Sequence, residues 1–449
     1  MRAVLMLGTA FLLPLTPHLA RGPRGAQGPA LAPYQRYELP NGLVVIIAED
    51  HTVPIMAATL WFRAGSAQES SGRRGFAQLA QRMVFQGTSE VPGQDVQTVQ
   101  QAGGEFNAAT TEDRAGFDVT VPSQYAKLAL WVLAGRMKPG PFSEMSLEAQ
   151  RQGVLQERAG RIDGQPFGSA FVDGIAHAFD STGCAAYAQP VLPAASDLES
   201  ATAKDLQAFV DDFYGPANAT LVVTGDVSSA EVRDAVQAYF GDATRGAAAP
   251  APVPSCAVTA VSGTEQREDA LASYPAAIIA YRIPGHSDPD TPALEVLAHA
   301  LGQGERSRLQ QALVGPGKAA VQAASVLDSR RGGGVLYLFA VGAGTASAER
   351  LSQAIAAEVA RLTSQGLAAD ELERVRNQLR MTTVTARLTP QQLAQQLQHY
   401  ALLHRGLSEF VADTAVRATA VDVKRAAQKY LTPANGRVIL VTPAPRGGR

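Results

Sequence analysis

One unit of sequence occurs twice in this chain, once in each half. The matching stretches are 201–206 (ATAKDL) with 418–423 (ATAVDV), 216–223 (PANATLVV) with 433–440 (PANGRVIL) and, more faintly, 57–63 with 276–282. The first two pairs keep one offset, since 418 − 201 = 217 and 433 − 216 = 217, and the third has 282 − 63 = 219. A solenoid needs about three repeats to bury its faces. Two copies therefore predict a pair of similar domains.

Composition indicates where these domains end. Residues 247–254 (AAAPAPVP) are rich in proline and alanine, which is typical of an extended linker. We predict a first domain over residues 34–244, a linker over 245–256 and a second domain over 257–449. A chain of 449 residues that is 46% hydrophobic is long enough for this arrangement.

The amino terminus has the pattern of an export signal. Arg2 precedes an apolar run over residues 3–13, which is too short to cross a bilayer and remain there. We predict a signal peptide over residues 1–20, a disordered lead-in over 21–33, and a periplasmic or extracellular location without a membrane anchor. The 39 Lys and Arg against 41 Asp and Glu give a net charge of −2, which does not favour a nucleic-acid partner. In an oxidising compartment Cys184 and Cys256 could form a disulfide, and two buried thiols are an equal alternative.

Local patterns predict strands first, then helices, then a closing strand in each half. Residues 37–47 indicate a hairpin about an Asn-Gly turn, and 54–63 and 115–121 indicate further strands. In the second half a helix is expected to stop at Gly366, and Asp370 is expected to cap the next one. This order predicts an α+β fold in which helices cover an antiparallel sheet.

Residues 75–88 (GFAQLAQRMVFQGT) predict a helix with one apolar stripe and one polar face. Apolar side chains recur at positions i, i+3, i+4, i+7 and i+8 from Phe76. Gln78, Gln81 and Arg82 fall at i, i+3 and i+4 on the other face. At this spacing a His-x-x-Glu-His motif presents two metal ligands and a general base. A plain solvated polar face is the alternative interpretation.

The pattern Gly-x-Ala opens this stretch at residue 75, and Met-x-Phe-x-Gly-Thr closes it at residues 83–88. With these flanks the stretch resembles the pitrilysin/insulinase family of zinc peptidases, the inverted zincins. Further pieces follow the family's order: Asn41-Gly42-Leu43, Gly103-Gly104 with Asn107-Ala108 and Thr110, residues 152–157, Tyr214-Gly215-Pro216 with Asn218, and Ser307-Arg308-Leu309. The resemblance implies two tandem homologous domains, as in the mitochondrial processing peptidases. By this resemblance the family's two zinc histidines fall on Gln78 and Arg82, its general base on Gln81 and its distal zinc ligand on Glu157.

The resemblance therefore implies a member with a degenerate zinc motif. Only Glu157 keeps its residue type, the assisting carboxylate falls on Gln150, and the substrate-holding Arg and Tyr fall on Val314 and Val321. A guanidinium about 4 Å from a divalent ion opposes it by roughly 8 kcal/mol at an effective dielectric of 20. We therefore expect no metal and no other cofactor, and we predict that the Arg82 guanidinium pairs with Glu157 in place of the cation.

The resemblance further implies that Asn107, Ala108 and Thr110 lie on an edge strand that could bind peptides by strand addition, a structural strand being the alternative. We predict a non-catalytic partner subunit of a homologous zinc-binding peptidase chain, as a heterodimer or a homodimer. Two alternatives remain. One is an active metallo-endopeptidase with an atypical site that binds zinc, and the other is a stand-alone peptide-binding or assembly protein.

Overall fold

The computed structural model describes residues 33–70, 72–87, 93–179, 183–244, 256, 258, 261–403, 407 and 414–445. The predicted signal and nearly all of the lead-in and linker lie outside these residues. The strands are β1 (Tyr34–Glu38), β2 (Val44–Glu49), β3 (Ile55–Phe62), β4 (Glu105–Thr110), β5 (Ala115–Pro122), β6 (Ala219–Gly225), β7 (Gly263–Asp269), β8 (Ala276–Ile283), β9 (Ala320–Asp328), β10 (Gly334–Gly342) and β11 (Gly436–Pro443).

Helices fill most of the sequence between these strands. In the first half they are α1 (Phe76–Phe85), α2 (Gln94–Gln101), α3 (Ala126–Gly135), α4 (Glu144–Arg158), α5 (Gly168–Ala176), α6 (Ala195–Leu198), α7 (Ala203–Phe213) and α8 (Ser229–Phe240). In the second half they are α9 (Thr291–Gly302), α10 (Arg308–Leu313), α11 (Ala348–Gln365), α12 (Ala369–Thr385), α13 (Pro390–Leu403), α14 (Thr414–Arg417) and α15 (Ala420–Tyr430).

The strands form two sheets with one shared topology. The first sheet has the order β1-β2-β6-β3-β5-β4 and the second has β7-β11-β8-β10-β9, so the second repeats the first without β1. Each sheet is antiparallel except for one parallel pair, β2 with β6 and β7 with β11. The α+β fold predicted from the sequence is confirmed, with this parallel pair as an addition.

Strand register bears out the internal repeat. Leu60 pairs with Leu221 in the first sheet, and Ile279 pairs with Val438 in the second. The two pairs are related by the offsets seen in the sequence, because 438 − 221 = 217 and 279 − 60 = 219. The domain boundaries at 244 and 257 stay a prediction.

Each sheet packs one face against helices of its own half. The larger core buries the inward side chains of β3, β5 and β6, such as Leu60 and Phe117, beneath α1, α3, α4 and α7. The second core does the same beneath α9, α11, α12 and α15. Burial of these apolar faces supplies the main driving force for both halves.

The other face of each sheet is covered by a helix from the opposite half. Helix α13 lies on β3 and β6 of the first sheet. Helix α5 lies on the second sheet, where Ala170 packs with Ile278 and Ile439. At Gly174 a Cβ atom would stand 2.9 Å from the Cδ1 atom of Ile439, so α5 approaches this sheet closely. We call α5 and α13 the exchanged helices.

A disulfide joins the segment after α5 to Cys256, the last residue of the predicted linker, which packs with Val335 of the second half. Cys184 and Cys256 are bonded, with their Cα atoms 5.1 Å apart and a sequence separation of 72 residues. Both are buried with Ile175, Phe179 and Val335. The sequence left bonded and free thiols equally open, and the structure selects the bond.

One local prediction from the sequence is wrong. The helix beginning near Asp370 has Ala368 as its N-cap, and Asp370 lies in the first turn. A carboxylate there still interacts favourably with the positive end of the helix dipole, which explains why the position resembles a cap in sequence. The preceding stop at Gly366 is confirmed, with a φ of 78° that favours glycine.

Candidate functional site

Helix α1 begins after a glycine, and the side chain of Glu69 in the preceding loop caps its first turn. Gly75, its N-cap residue, has a φ of 80°, a left-handed conformation that glycine adopts readily. The Glu69 carboxylate accepts hydrogen bonds from the backbone nitrogens of Gly75 and Ala77, each at 2.9 Å. Burial raises the pKa of Glu69 to about 8, although these two hydrogen bonds oppose the rise. The start of α1 is thus held from the preceding loop.

The apolar stripe of α1 faces the core as predicted, but its polar face is not solvated. Gln78 and Gln81 are only 8% and 4% exposed. The Arg82 side chain is 28% exposed, and that of Glu157 on α4 is 18% exposed. The alternative interpretation of an ordinary solvated face is therefore wrong, because α4 packs across this side of α1.

Three side chains meet at the Glu157 carboxylate. Arg82 Nη2 lies 2.6 Å from Glu157 Oε2, and Gln78 Nε2 donates to the same oxygen at 3.2 Å. Arg161 Nη1 lies 2.8 Å from the other oxygen, Oε1. The predicted pairing of Arg82 with Glu157 is confirmed. We refer to Gln78, Arg82, Glu157 and Arg161 as the carboxylate cluster.

Two features of α4 shape this cluster: a glycine makes room for Arg82, and the turn that continues the helix carries Arg161. A Cβ atom at Gly153 would stand 3.0 Å from Arg82 Nη1, so the absence of a side chain lets the guanidinium lie against the helix. After Arg158 the helix continues as a short π-helical turn over Ala159–Asp163, which carries Arg161. Sequence reasoning missed Gly153 and Arg161. Arg161 follows Glu157 by four residues, the spacing at which opposite charges meet on a helix, and that spacing was a usable signal.

The cluster does not suit a zinc ion. A catalytic zinc takes about three nitrogen, sulfur or oxygen ligands from the protein, whereas only one carboxylate is present here and arginines bind both of its oxygens. Gln81 offers an amide where a general base would stand, and an amide takes no proton from water at neutral pH. Among the described residues, no three His, Cys, Asp or Glu side chains converge in a way that could hold a metal.

The predicted edge strand is the last strand of the first sheet. Strand β4 pairs with β5 and stands at the end of the strand order. Asn107 is exposed, whereas Ala108 and Thr110 are half-buried. Val321, where the resemblance places a substrate-holding Tyr, lies on β9, the last strand of the second sheet, and is 55% exposed. Val314 is the C-cap residue of α10 and has an extended backbone conformation.

Comparisons with known proteins place this geometry in a family. The profile of the insulinase family (peptidase family M16) matches residues 44–172, and that of the peptidase M16 inactive domain matches residues 200–379. The crystal structure of a peptidase M16 inactive domain from Pseudomonas fluorescens superposes with a TM-score of 0.82 at 20% identity, covering 93% of this chain and 99% of that one.

Curated relatives agree. The zinc protease PqqE of Helicobacter pylori is 25% identical over 354 residues, which cover 77% of this chain and 78% of the relative. The probable mitochondrial-processing peptidase subunit beta of Arabidopsis thaliana is 27% identical over 415 residues, covering 88% and 75%. The fold is thus that of the M16-like peptidases. The chain belongs to the pitrilysin/insulinase family.

Proposed function

We propose that the chain is a non-catalytic partner subunit of a zinc-binding peptidase of its own family. The observation that carries the proposal is the Arg82 guanidinium 2.6 Å from the carboxylate of Glu157, the residue to which the family resemblance assigns the distal zinc ligand. In this proposal the arginine side chains supply the positive charge that a zinc ion supplies in an active family member. No water can be activated without a metal or a base, so the site lacks the parts needed for hydrolysis.

Charge conservation explains how the surrounding structure tolerates this exchange. A divalent ion held by one carboxylate and two neutral imidazoles carries a net charge of +1. Arg82 and Arg161 together with Glu157 also sum to +1. The half-buried Glu157 carboxylate needs a compensating charge, which Arg82 supplies with a hydrogen bond and Arg161 supplies with an ion pair. The cluster thus preserves the fold of α1 and α4 without preserving the chemistry.

Two observations support the partnership and the export of the chain. The Arabidopsis relative is named as a subunit, subunit beta, of a mitochondrial-processing peptidase. The disulfide between Cys184 and Cys256 is of the kind that persists in oxidising compartments, which supports a periplasmic or extracellular location. No helix in the described part of the chain has the length and apolar character that a membrane crossing requires.

Peptide binding is a second function that β4 supports. An edge strand has backbone N–H and C=O groups that can pair with an extended peptide, and pockets beside it select side chains. The carboxylate cluster and β4 both pack against α1. A chain without hydrolytic groups can therefore still hold a peptide for its partner.

The test is to measure metal content and peptide cleavage for the mature chain alone, and then with a homologous chain that carries an intact His-x-x-Glu-His motif. We expect no stoichiometric zinc and no cleavage alone, and a heterodimer with one zinc in the mixture. Chelator-sensitive cleavage by the isolated chain would instead establish an active peptidase with an atypical site. A homodimer that ignores the zinc-binding chain would establish a stand-alone protein.

A variant that restores the motif tests whether residues 78, 81 and 82 are the reason that we expect no zinc to bind. Gln78→His, Gln81→Glu and Arg82→His together restore the family's motif beside Glu157. Because position 82 already lies within contact of Glu157, we expect this variant to bind one zinc per chain. The matched control is Gln81→Glu alone, which adds the base but leaves Arg82 in place, and it should bind none.

A further inference from the structure

A cavity of about 370 Å³ lies beside the carboxylate cluster, between the two halves of the chain. Its walls are mostly apolar and include Ile162, Phe171, Ile175, Leu192 and Tyr337. This volume falls within the range of about 300–1,000 Å³ that is usual for small-ligand sites. The apolar walls suit an aliphatic or aromatic group.

Two polar groups in the cavity wall have capacity left for a ligand. Arg161 lines the cavity, its side chain is 74% exposed, and one of its terminal nitrogens forms an ion pair with Glu157. The side-chain oxygen of Gln189 also belongs to a lining residue, is buried, and accepts no hydrogen bond from a described residue. A buried acceptor without a donor is unfavourable, so a ligand N–H would relieve it.

The remaining charged residues of the wall are already paired with one another. Arg330 Nη2 lies 2.9 Å from Glu112 and 2.6 Å from Asp328. Burial raises the pKa of Glu112, and the nearby Arg330 guanidinium opposes the rise. Arg82, Arg161 and Glu157 together keep a net charge of +1, and Arg161 presents this positive charge to the cavity.

We propose that this cavity binds the carboxyl-terminal residue of a peptide that ends in an aliphatic or aromatic side chain. The terminal carboxylate would pair with Arg161, the backbone N–H would donate to Gln189 Oε1, and the side chain would fill the apolar part. A single apolar terminal residue carries all three groups, an anion, a donor and an apolar body. An internal peptide segment lacks the anion.

The test measures fluorescence anisotropy of two labelled hexapeptides that end in Phe, one with a free carboxylate and one with a terminal amide. We expect the free acid to bind at least about tenfold more tightly, as is typical when a charge-assisted hydrogen bond is lost. Arg161→Ala should abolish that preference, and Arg161→Lys should retain part of it. Arg350→Ala, which changes an exposed arginine of α11, is the matched control and should leave both affinities unchanged.

Two further variants address the other contacts. Gln189→Leu should weaken the acid and the amide equally, and Val172→Trp should block both, because its ring would occupy the cavity. Thermal unfolding of each variant checks that it is folded. Equal affinity for acid and amide, an acid preference that survives Arg161→Ala, or no binding of either peptide would overturn the proposal.

This inference goes beyond the proposed partnership and is measured on the isolated chain. A chain that binds the free acid but no zinc-binding homologue would retain the cavity assignment and lose the partnership. The converse result would retain the partnership and lose the cavity assignment.

Discussion

Helix α5 meets the second sheet through small and aromatic side chains, whereas helix α13 buries an amide, that of Gln398, beside its apolar residues Leu393, Ala394 and Leu397. On α5, Phe171 packs edge-on against Phe339 with ring centroids 5.0 Å apart, and Gly174 touches Ile439. On α13, Gln398 accepts from the Thr59 hydroxyl at 3.2 Å and donates to the Thr220 carbonyl at 3.1 Å. Each exchanged helix thus covers a sheet of the opposite half, but the two helices use different kinds of side chain to do so.

The difference teaches what each contact can contribute. Apolar contact stabilises roughly in proportion to the area buried and has little directional preference. Buried amides must find their partners, and a displaced helix would leave those partners unsatisfied. We infer that α5 contributes mainly stability, whereas α13 fixes the placement of the second half on the first. The following variants can break or sharpen this comparison.

The largest expected effect comes from the disulfide beside α5. Replacing both Cys184 and Cys256 by Ala opens a closed loop with a sequence separation of 72 residues, and we expect the free energy of unfolding to fall by about 4 kcal/mol. The measurement is urea unfolding with and without reductant. Reductant should destabilise the natural chain similarly and leave the double variant unchanged. An unaltered midpoint in the double variant would show that α5 is held by packing alone.

A smaller loss is expected on the α13 side. Gln398→Leu leaves the buried Thr59 hydroxyl and Thr220 carbonyl without this partner, which typically costs about 1–3 kcal/mol. Gln396→Leu is the matched control, because Gln396 is half-buried on the same helix and its amide forms no hydrogen bond with a described residue. Unfolding free energies of the two variants should therefore differ. Equal losses would remove the special role assigned to Gln398.

The exchange of helices is the part of the fold that could not be predicted from the sequence. The helix at Phe76–Phe85 follows from its own apolar spacing, and the hairpin of β1 and β2 follows from its Asn-Gly turn. An amphipathic stretch shows that a helix has a buried face, but not which sheet covers it. The partners of Gln398 lie 339 and 178 residues away, and no local pattern reports such a separation.

The candidate site also has one part that the sequence predicted and another part that it did not. The pairing of Arg82 with Glu157 could be predicted because the family resemblance placed both residues around one metal position. The contribution of Arg161 depends on the π-helical turn that continues α4, and that of Gly153 on the close approach of a guanidinium. The close approach at Gly153 is a consequence of helix packing and became visible only in three dimensions, whereas the four-residue spacing of Glu157 and Arg161 is already present in the sequence.

Acid should weaken the α5 side, and the effect is expected to be near 1 kcal/mol. Burial alone would raise the pKa of Glu265, but hydrogen bonds from Arg437, from His177 just after α5, and from Arg267 lower it to about 2. A depressed folded-state pKa contributes stability above the unfolded value of 4.5 that is lost as pH falls toward 2. Because the group is partly exposed, screening limits this to roughly 1 kcal/mol.

The measurement for Glu265 is unfolding free energy between pH 5 and about 2.5 for the natural chain and Glu265→Gln. We expect the variant to be less stable at pH 5 and the two curves to converge in acid. Curves that stay parallel would show that Glu265 contributes nothing specific to the junction of α5 and β7.

The smallest expected effect has the opposite sign and lies under α13. Burial raises the pKa of Asp118, although Trp61 at 2.8 Å and Gln395 at 3.2 Å donate to its oxygens. A raised folded-state pKa means that the native chain binds more protons, so this contribution is lost as pH rises from the unfolded value of 3.8 through the raised one.

Asp118→Asn removes the titration and keeps one oxygen as an acceptor. We therefore expect the variant to lose less stability than the natural chain as pH rises from 4 to 7, by about 0.5 kcal/mol. If both exchanged helices instead weaken in acid, the division between an apolar and a polar contact does not extend to their ionisable groups.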